Sequence, residues 1–206
     1  MANIITVSRF PLLLLIVILL TTASAAARMA CVPLILLLIL LDTVDGLVAR
    51  ARKEESLLGS VLDIMVDRSV EIVLWIVFGH LGLVPLAIPL IFVVRGTVVD
   101  SLRSIGVQEG KTPFGTTQSA VGRWLVASPW MRSGYGIAKA SAFMLLALTS
   151  SLLLSASAGS GSLQTAQAWH TAALLVSWIA TLFCVVRGLP VLVESIGRLS
   201  VPSSRG

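Results

Sequence analysis

Apolar runs of helical length recur along the whole chain, and they leave few folds open. Phe10–Leu20 and Met29–Leu41 carry no charged side chain, and comparable runs continue to Leu192. A soluble domain would have too little polar surface to cover so many of them. In a bilayer, every backbone N–H and C=O must be satisfied within a helix or a closed barrel. The runs lack the period-two alternation of strands, so a barrel is disfavoured and helices are favoured. At about 20 residues per span, a chain of 206 residues has room for six. Only 12% of residues are charged, against roughly a quarter in soluble domains.

The expectation is an all-α integral membrane protein, a bundle of six transmembrane helices forming one domain over 1–206. The spans are placed near 5–26, 29–50, 57–80, 84–106, 136–155 and 169–192. The first, with Arg9, an apolar run and the small residues Ala23 to Ala27, also has the look of a secretory signal. It is read as a retained helix because of Asn3 and Thr6. Between Gly106 and Gly136, Trp124 and Trp130 flank an apolar piece too short to span, which is expected to lie in the membrane interface. Cys31 and Cys184 fall inside apolar runs and imply no disulfide framework.

Loop charge sets the orientation. Arg50, Arg52, Lys53, Arg103, Lys111, Arg123, Arg132, Arg198 and Arg205 fall in alternate connections and the tail, while the opposite set holds little but Arg28. The positive-inside rule makes the rich side cytoplasmic, with both termini there. The net charge of +5 is therefore a matter of topology, anionic lipid or a phosphorylated substrate. Nucleic acid is not an expected partner.

Against this apolar background, residues 42–67 stand out. Asp42 and Asp45 are three apart, and Asp63 and Asp67 four apart, so each pair shares a helix face. The polar turn Ala51–Glu55 is short, so the two helices are expected to be antiparallel neighbours whose carboxylates converge. Four such carboxylates repel unless cations lie between them. Hard oxygen donors suit magnesium, manganese or calcium, one or two ions with magnesium or manganese preferred, and two-metal sites run phosphoryl displacements. Gly46, Ala49 and Gly59 imply close approach of a ligand or helix, and Arg50 is a natural phosphate ligand. A structural salt bridge accounts for one Asp in such a place. It does not account for four at this spacing with small residues and Arg50 in register. A divalent-cation transporter would place acids near the bilayer midplane with exits to both sides, whereas these cluster towards one face.

The order Asp42-x-x-Asp45-Gly46-x-x-Ala49-Arg50, eight residues, Gly59-x-x-x-Asp63-x-x-x-Asp67 resembles the signature of the CDP-alcohol phosphotransferases at every fixed position. The family also has six membrane helices. The resemblance implies a CDP-linked lipid donor, usually CDP-diacylglycerol, whose β-phosphorus is attacked by the hydroxyl of a small polar alcohol, with release of CMP. It implies metal coordination by Asp42, Asp45, Asp63 and Asp67, with Asp67 as general base. Gly46, Ala49 and Gly59 would line the cytidine pocket, and Arg50 would touch the diphosphate. Asn3-Ile4-Ile5-Thr6, followed by Arg9, resembles the family's N-terminal element that helps hold the donor phosphates. The same resemblance implies a homodimer, and the loop-charge pattern puts the active site of this cell- or inner-membrane protein on the cytoplasmic side.

The acceptor is read from cations at the cytoplasmic ends of the later helices: Arg95, Arg103, Arg132, Lys139 and Arg187. They suggest an anionic acceptor. Arg95 to Arg103, with Leu102, resembles a run in phosphatidylglycerophosphate synthases, which points to glycerol 3-phosphate. Gly136-Ile137-Ala138-Lys139 resembles their Gly-Lys-x-Lys segment, but Ile137 replaces the first Lys, and Ala140 and Phe143 stand where Thr and Gln usually follow. Inositol phosphate or another polar alcohol is the runner-up.

Overall fold

A computed structural model describes residues 2–52, 57–108 and 128–199. The described residues form six helices: α1 (Ala2–Thr21), α2 (Ala25–Arg52), α3 (Leu57–His80), α4 (Ala87–Gln108), α5 (Pro129–Ser157) and α6 (Leu163–Leu199). Among the described residues, three segments are long and apolar enough to cross a membrane: Ala25–Val44, Trp130–Ser157 and Leu163–Val193. The apolar part of α1, Thr6–Thr21, is shorter, and α3 is interrupted by Asp63, Asp67, Arg68 and Glu71.

Capping groups set the helix starts, and they lie several residues before the hydropathy boundaries. Ser24 accepts from the Ala27 N–H through its hydroxyl and from the Arg28 N–H through its carbonyl. The first bond satisfies an orphan donor and the second opens the helical ladder, which starts α2 at Ala25 rather than near 29. Pro129, whose fixed φ suits a first helical position, opens α5 seven residues before the expected 136. Ser162 plays the same part for α6, accepting from Thr165 N–H and Ala166 N–H. The expected interfacial piece is therefore altered at its end: Pro129 and Trp130 belong to α5, with Trp130 86% exposed. Residues 124–127 lie outside the described residues. Two helices end on left-handed glycines, Gly82 (φ 70°) after α3 and Gly159 (φ 76°) after α5. A side chain would strain the backbone there.

Among the described residues each helix packs extensively against two others, and the pairs close a ring in the order α1, α3, α4, α6, α5, α2. Among the described residues the neighbours of α2 are α1 and α5, and no comparable contact joins α2 to α3. This corrects the expectation of adjacent α2 and α3 walls: α1 stands between them. The buried face of α1 runs Thr6, Arg9, Leu13, Ile16, Leu20, with spacings of three and four. Its other face is apolar but exposed, including Leu14, Leu15 and Ile18, as suits a lipid-facing surface.

Lipid tails are as apolar as leucine, so burial alone does not hold such helices together. Small residues let backbones approach: Ala142, Ala147, Ala173 and Ala180 are all fully buried. Trp75 of α3 stacks on Phe92 of α4 (ring centroids 4.7 Å apart) and meets Phe143 of α5 edge-on (4.8 Å). Ser151 Oγ donates to Ala25 O at 2.7 Å, tying α5 to α2. His170 Nε2 lies 2.9 Å from Leu83 O, tying α6 to the α3–α4 turn.

Candidate active site

The end of the bundle formed by the start of α1, the end of α2 and the start of α3 carries a knot of opposite charges. Arg9 lies on the buried stripe of α1 and is 3% exposed. Its Nη1 donates to Asp42 Oδ1 at 2.7 Å, and its Nη2 to Asp67 Oδ1 at 2.8 Å. Asp63 Oδ1 is 3.8 Å from Nη1. One guanidinium from α1 thus faces carboxylates of α2 and α3, and its planar fork matches two of them at once. Oxygens of Asp42, Asp63 and Asp67 all lie within 4.8 Å of one another. The acids are not sealed: their side chains are 38%, 48% and 49% exposed. The cluster is therefore backed by a buried cation and open on its far side.

One helical turn beyond Asp67, on the same face, Glu71 is 4% exposed. It accepts from Arg68 Nη1 (2.7 Å), from the Tyr135 hydroxyl (2.8 Å) and from Lys139 Nζ (2.8 Å). Arg68 reaches further, donating from Nε and Nη2 to the two oxygens of Asp100 on α4, at 2.7 and 3.3 Å. The Tyr135 ring carries two cations, Lys139 Nζ at 4.4 Å and the Arg187 guanidinium at 5.3 Å. Arg187 Nη1 also donates to Met131 O. Buried charges survive when paired and hydrogen-bonded, and this chain of groups joins α3, α4, α5 and α6.

A cavity of about 140 Å³ lies between the two networks. Arg9, Asp42 and Asp67 line it together with Glu71, Lys139 and Phe143. A small polar molecule there would meet carboxylates and an ammonium group together.

The expected metal ligands Asp42, Asp63 and Asp67 come together. The side chains of Asp45, Gly46, Ala49 and Arg50 lie outside the described residues, although their backbone continues α2. The side chains of Asn3 and Arg103 are outside them too. Thr6 is buried one turn before Arg9, and Gly59 is half-buried one turn before Asp63. Of the expected acceptor cations, Lys139 lines the cavity and Arg187 lies behind it across the Tyr135 ring. Arg95 packs against Gly188 of α6, where a Cβ would come within 3.1 Å of its Cγ. Arg132 is exposed in the first turn of α5. Sequence reasoning did not place Arg9 among the carboxylates or Tyr135 beside Glu71. The signal for Arg9 was its position on the stripe of Leu13, Ile16 and Leu20. Tyr135 had only its four-residue spacing from Lys139.

Clustered carboxylate oxygens are the donors that hard divalent ions such as magnesium or manganese take, so the arrangement fits such an ion. The family model for CDP-alcohol phosphatidyltransferase matches residues 1–186. No curated protein matches the chain.

Proposed function

The chain belongs to the CDP-alcohol phosphatidyltransferase family, and we propose that it transfers the phosphatidyl group of CDP-diacylglycerol to a small phosphorylated alcohol, best glycerol 3-phosphate, with release of CMP. The observation that carries this reading is the convergence of Asp42, Asp63 and Asp67 beside a cavity that also holds Lys139. Inositol phosphate is the next acceptor in order.

Asp42, Asp63 and Asp67, with Asp45, would hold one or two magnesium or manganese ions. A divalent ion supplies charge neutralisation to the diphosphate and to departing CMP. The chain's own groups do the rest. Gly46, Ala49 and Gly59 leave room for the cytidine, while Arg50, Asn3 and Thr6 meet the diphosphate oxygens. Lys139 draws the acceptor's anionic group into the cavity, with Arg187, Arg95, Arg103 and Arg132 adding positive field. Arg9 engages Oδ1 of Asp67 and so fixes that carboxylate at the cavity wall. As the acceptor oxygen bonds to the β-phosphorus, its proton passes to Asp67, and the bond from that phosphorus to the oxygen of CMP breaks.

Membrane placement follows the charge pattern. We place six spans with both termini and the carboxylates on the cytoplasmic side, in one domain that works as a homodimer. Purified protein with magnesium and CDP-diacylglycerol should release CMP when glycerol 3-phosphate is added, and Asp67→Asn should lower turnover by about a hundredfold or more. CMP release that ignores every acceptor offered, or an Asp67→Asn variant at wild-type rate, would refute the assignment.

A further inference from the structure

We infer that Arg9 is a built-in counter-cation of the carboxylate cluster, and that it holds the cluster together while weakening its grip on a divalent ion. The inference rests on the reading of these acids as metal ligands and adds a residue that sets their affinity.

The acids reside on α2 and α3, but their compensating charge comes from α1. Arg9 is almost fully buried, so its charge needs partners. It finds them in Asp42 and Asp67 at 2.7 and 2.8 Å, with Asp63 at 3.8 Å. All three contacts are to Oδ1 atoms. The second oxygen of each carboxylate is then the one offered to an ion on the exposed side. Three negative charges against one positive leave two on the described groups, the charge of one divalent ion. A cation held by the same three carboxylates would lie close to the guanidinium, and like charges at short range repel strongly outside bulk water. The consequence is two-sided. Arg9 keeps three acids within 4.8 Å of one another, and it makes them a weaker trap for metal than they would be alone. A moderate affinity suits a site whose ion must also accommodate an arriving diphosphate and a departing nucleotide.

The test measures Mn²⁺ binding to the full-length protein in detergent, without nucleotide or lipid donor, by the loss of the free-ion electron paramagnetic resonance signal. Arg9→Met is expected to bind Mn²⁺ about tenfold or more tightly than wild type, as expected for removal of a nearby like charge. Arg9→Lys, which keeps the charge and loses the fork, is expected to stay close to wild type. In chelator, Arg9→Met should melt at a lower temperature than wild type, and Mn²⁺ should raise its melting point by more. Unchanged or weaker Mn²⁺ binding in Arg9→Met would overturn the inference and leave Arg9 as a ligand for donor phosphate alone. Tightening in Arg9→Lys equal to that in Arg9→Met would overturn it too, since charge would not be the cause. If Arg9→Met does not survive solubilisation, the double variant Arg9→Met/Asp42→Asn, which removes one charge of each sign, should be monodisperse, and its equal failure counts against the inference. Wild-type protein that binds no Mn²⁺ at all would sink the metal reading itself, and this inference with it.

Discussion

Glu71 is an anion with three donors and almost no solvent. Arg68, Tyr135 and Lys139 converge on it from α3 and α5, and Arg68 extends the chain to Asp100 on α4. Removing one member of a buried ionic set leaves the others uncompensated, typically at about 3 kcal/mol. Glu71→Leu should therefore destabilise the protein by about that amount, read as a lower melting temperature in detergent. Lys139→Met should do less harm, because Arg68 and Tyr135 still satisfy the carboxylate. A Glu71→Leu variant as stable as wild type would mean the network contributes nothing net. At this scale the sequence was legible where spacing alone determines a face. Asp63, Asp67 and Glu71 are four apart, and helical geometry stacks them. It was not legible where partners come from other helices. Nothing near Arg9 in the sequence points to residue 42 or residue 67, and only the ring of helices brings them together.

Elements were legible in number and order, less so in their ends and neighbours. Hydropathy marks where a run becomes apolar, whereas a helix begins where its first N–H groups find acceptors. Ser24, Pro129 and Ser162 supply those conditions in polar or mixed sequence, so α2, α5 and α6 start early. The neighbour relation of α2 and α3 was inferred from their short connection, but α1 takes the place between them, because its buried stripe includes Arg9 as well as leucine and isoleucine. The contacts that fix helix against helix are correspondingly few and polar. Ser151 Oγ to Ala25 O is one of them, 126 residues apart in sequence. Ser151→Ala should cost about 1 kcal/mol, while Ser157→Ala, whose hydroxyl donates to Leu154 O within its own turn, should cost less. Thermal unfolding of the two variants side by side separates a bond between helices from one within a helix.

Across the described residues the charges, Arg28 apart, are sorted by end. The connections Thr22–Ser24, 81–86 and 158–162 contain no acid or base, whereas Arg9, Asp42, Asp63, Asp67, Arg68, Asp100, Arg132, Lys139 and Arg187 all lie towards the opposite ends of their helices. A donor carrying a nucleotide diphosphate can meet the carboxylates only from that charged end, so the side of the membrane it faces decides whether the enzyme sees its substrate. From the loop-charge pattern we propose that this end faces the cytoplasm. A labelling experiment follows directly. Cys31 and Cys184 are fully buried, which leaves little background for a membrane-impermeant maleimide. Ser160→Cys, in the exposed α5–α6 turn, should label in intact cells. Ser203→Cys, in the tail, should label only after the membrane is permeabilised. The reverse pattern would place Asp42, Asp63 and Asp67 outside, away from any cytoplasmic supply of nucleotide-linked lipid and phosphorylated alcohol. The proposed reaction would then have to be abandoned even though the fold stayed the same, because orientation alone connects this carboxylate cluster to its substrates.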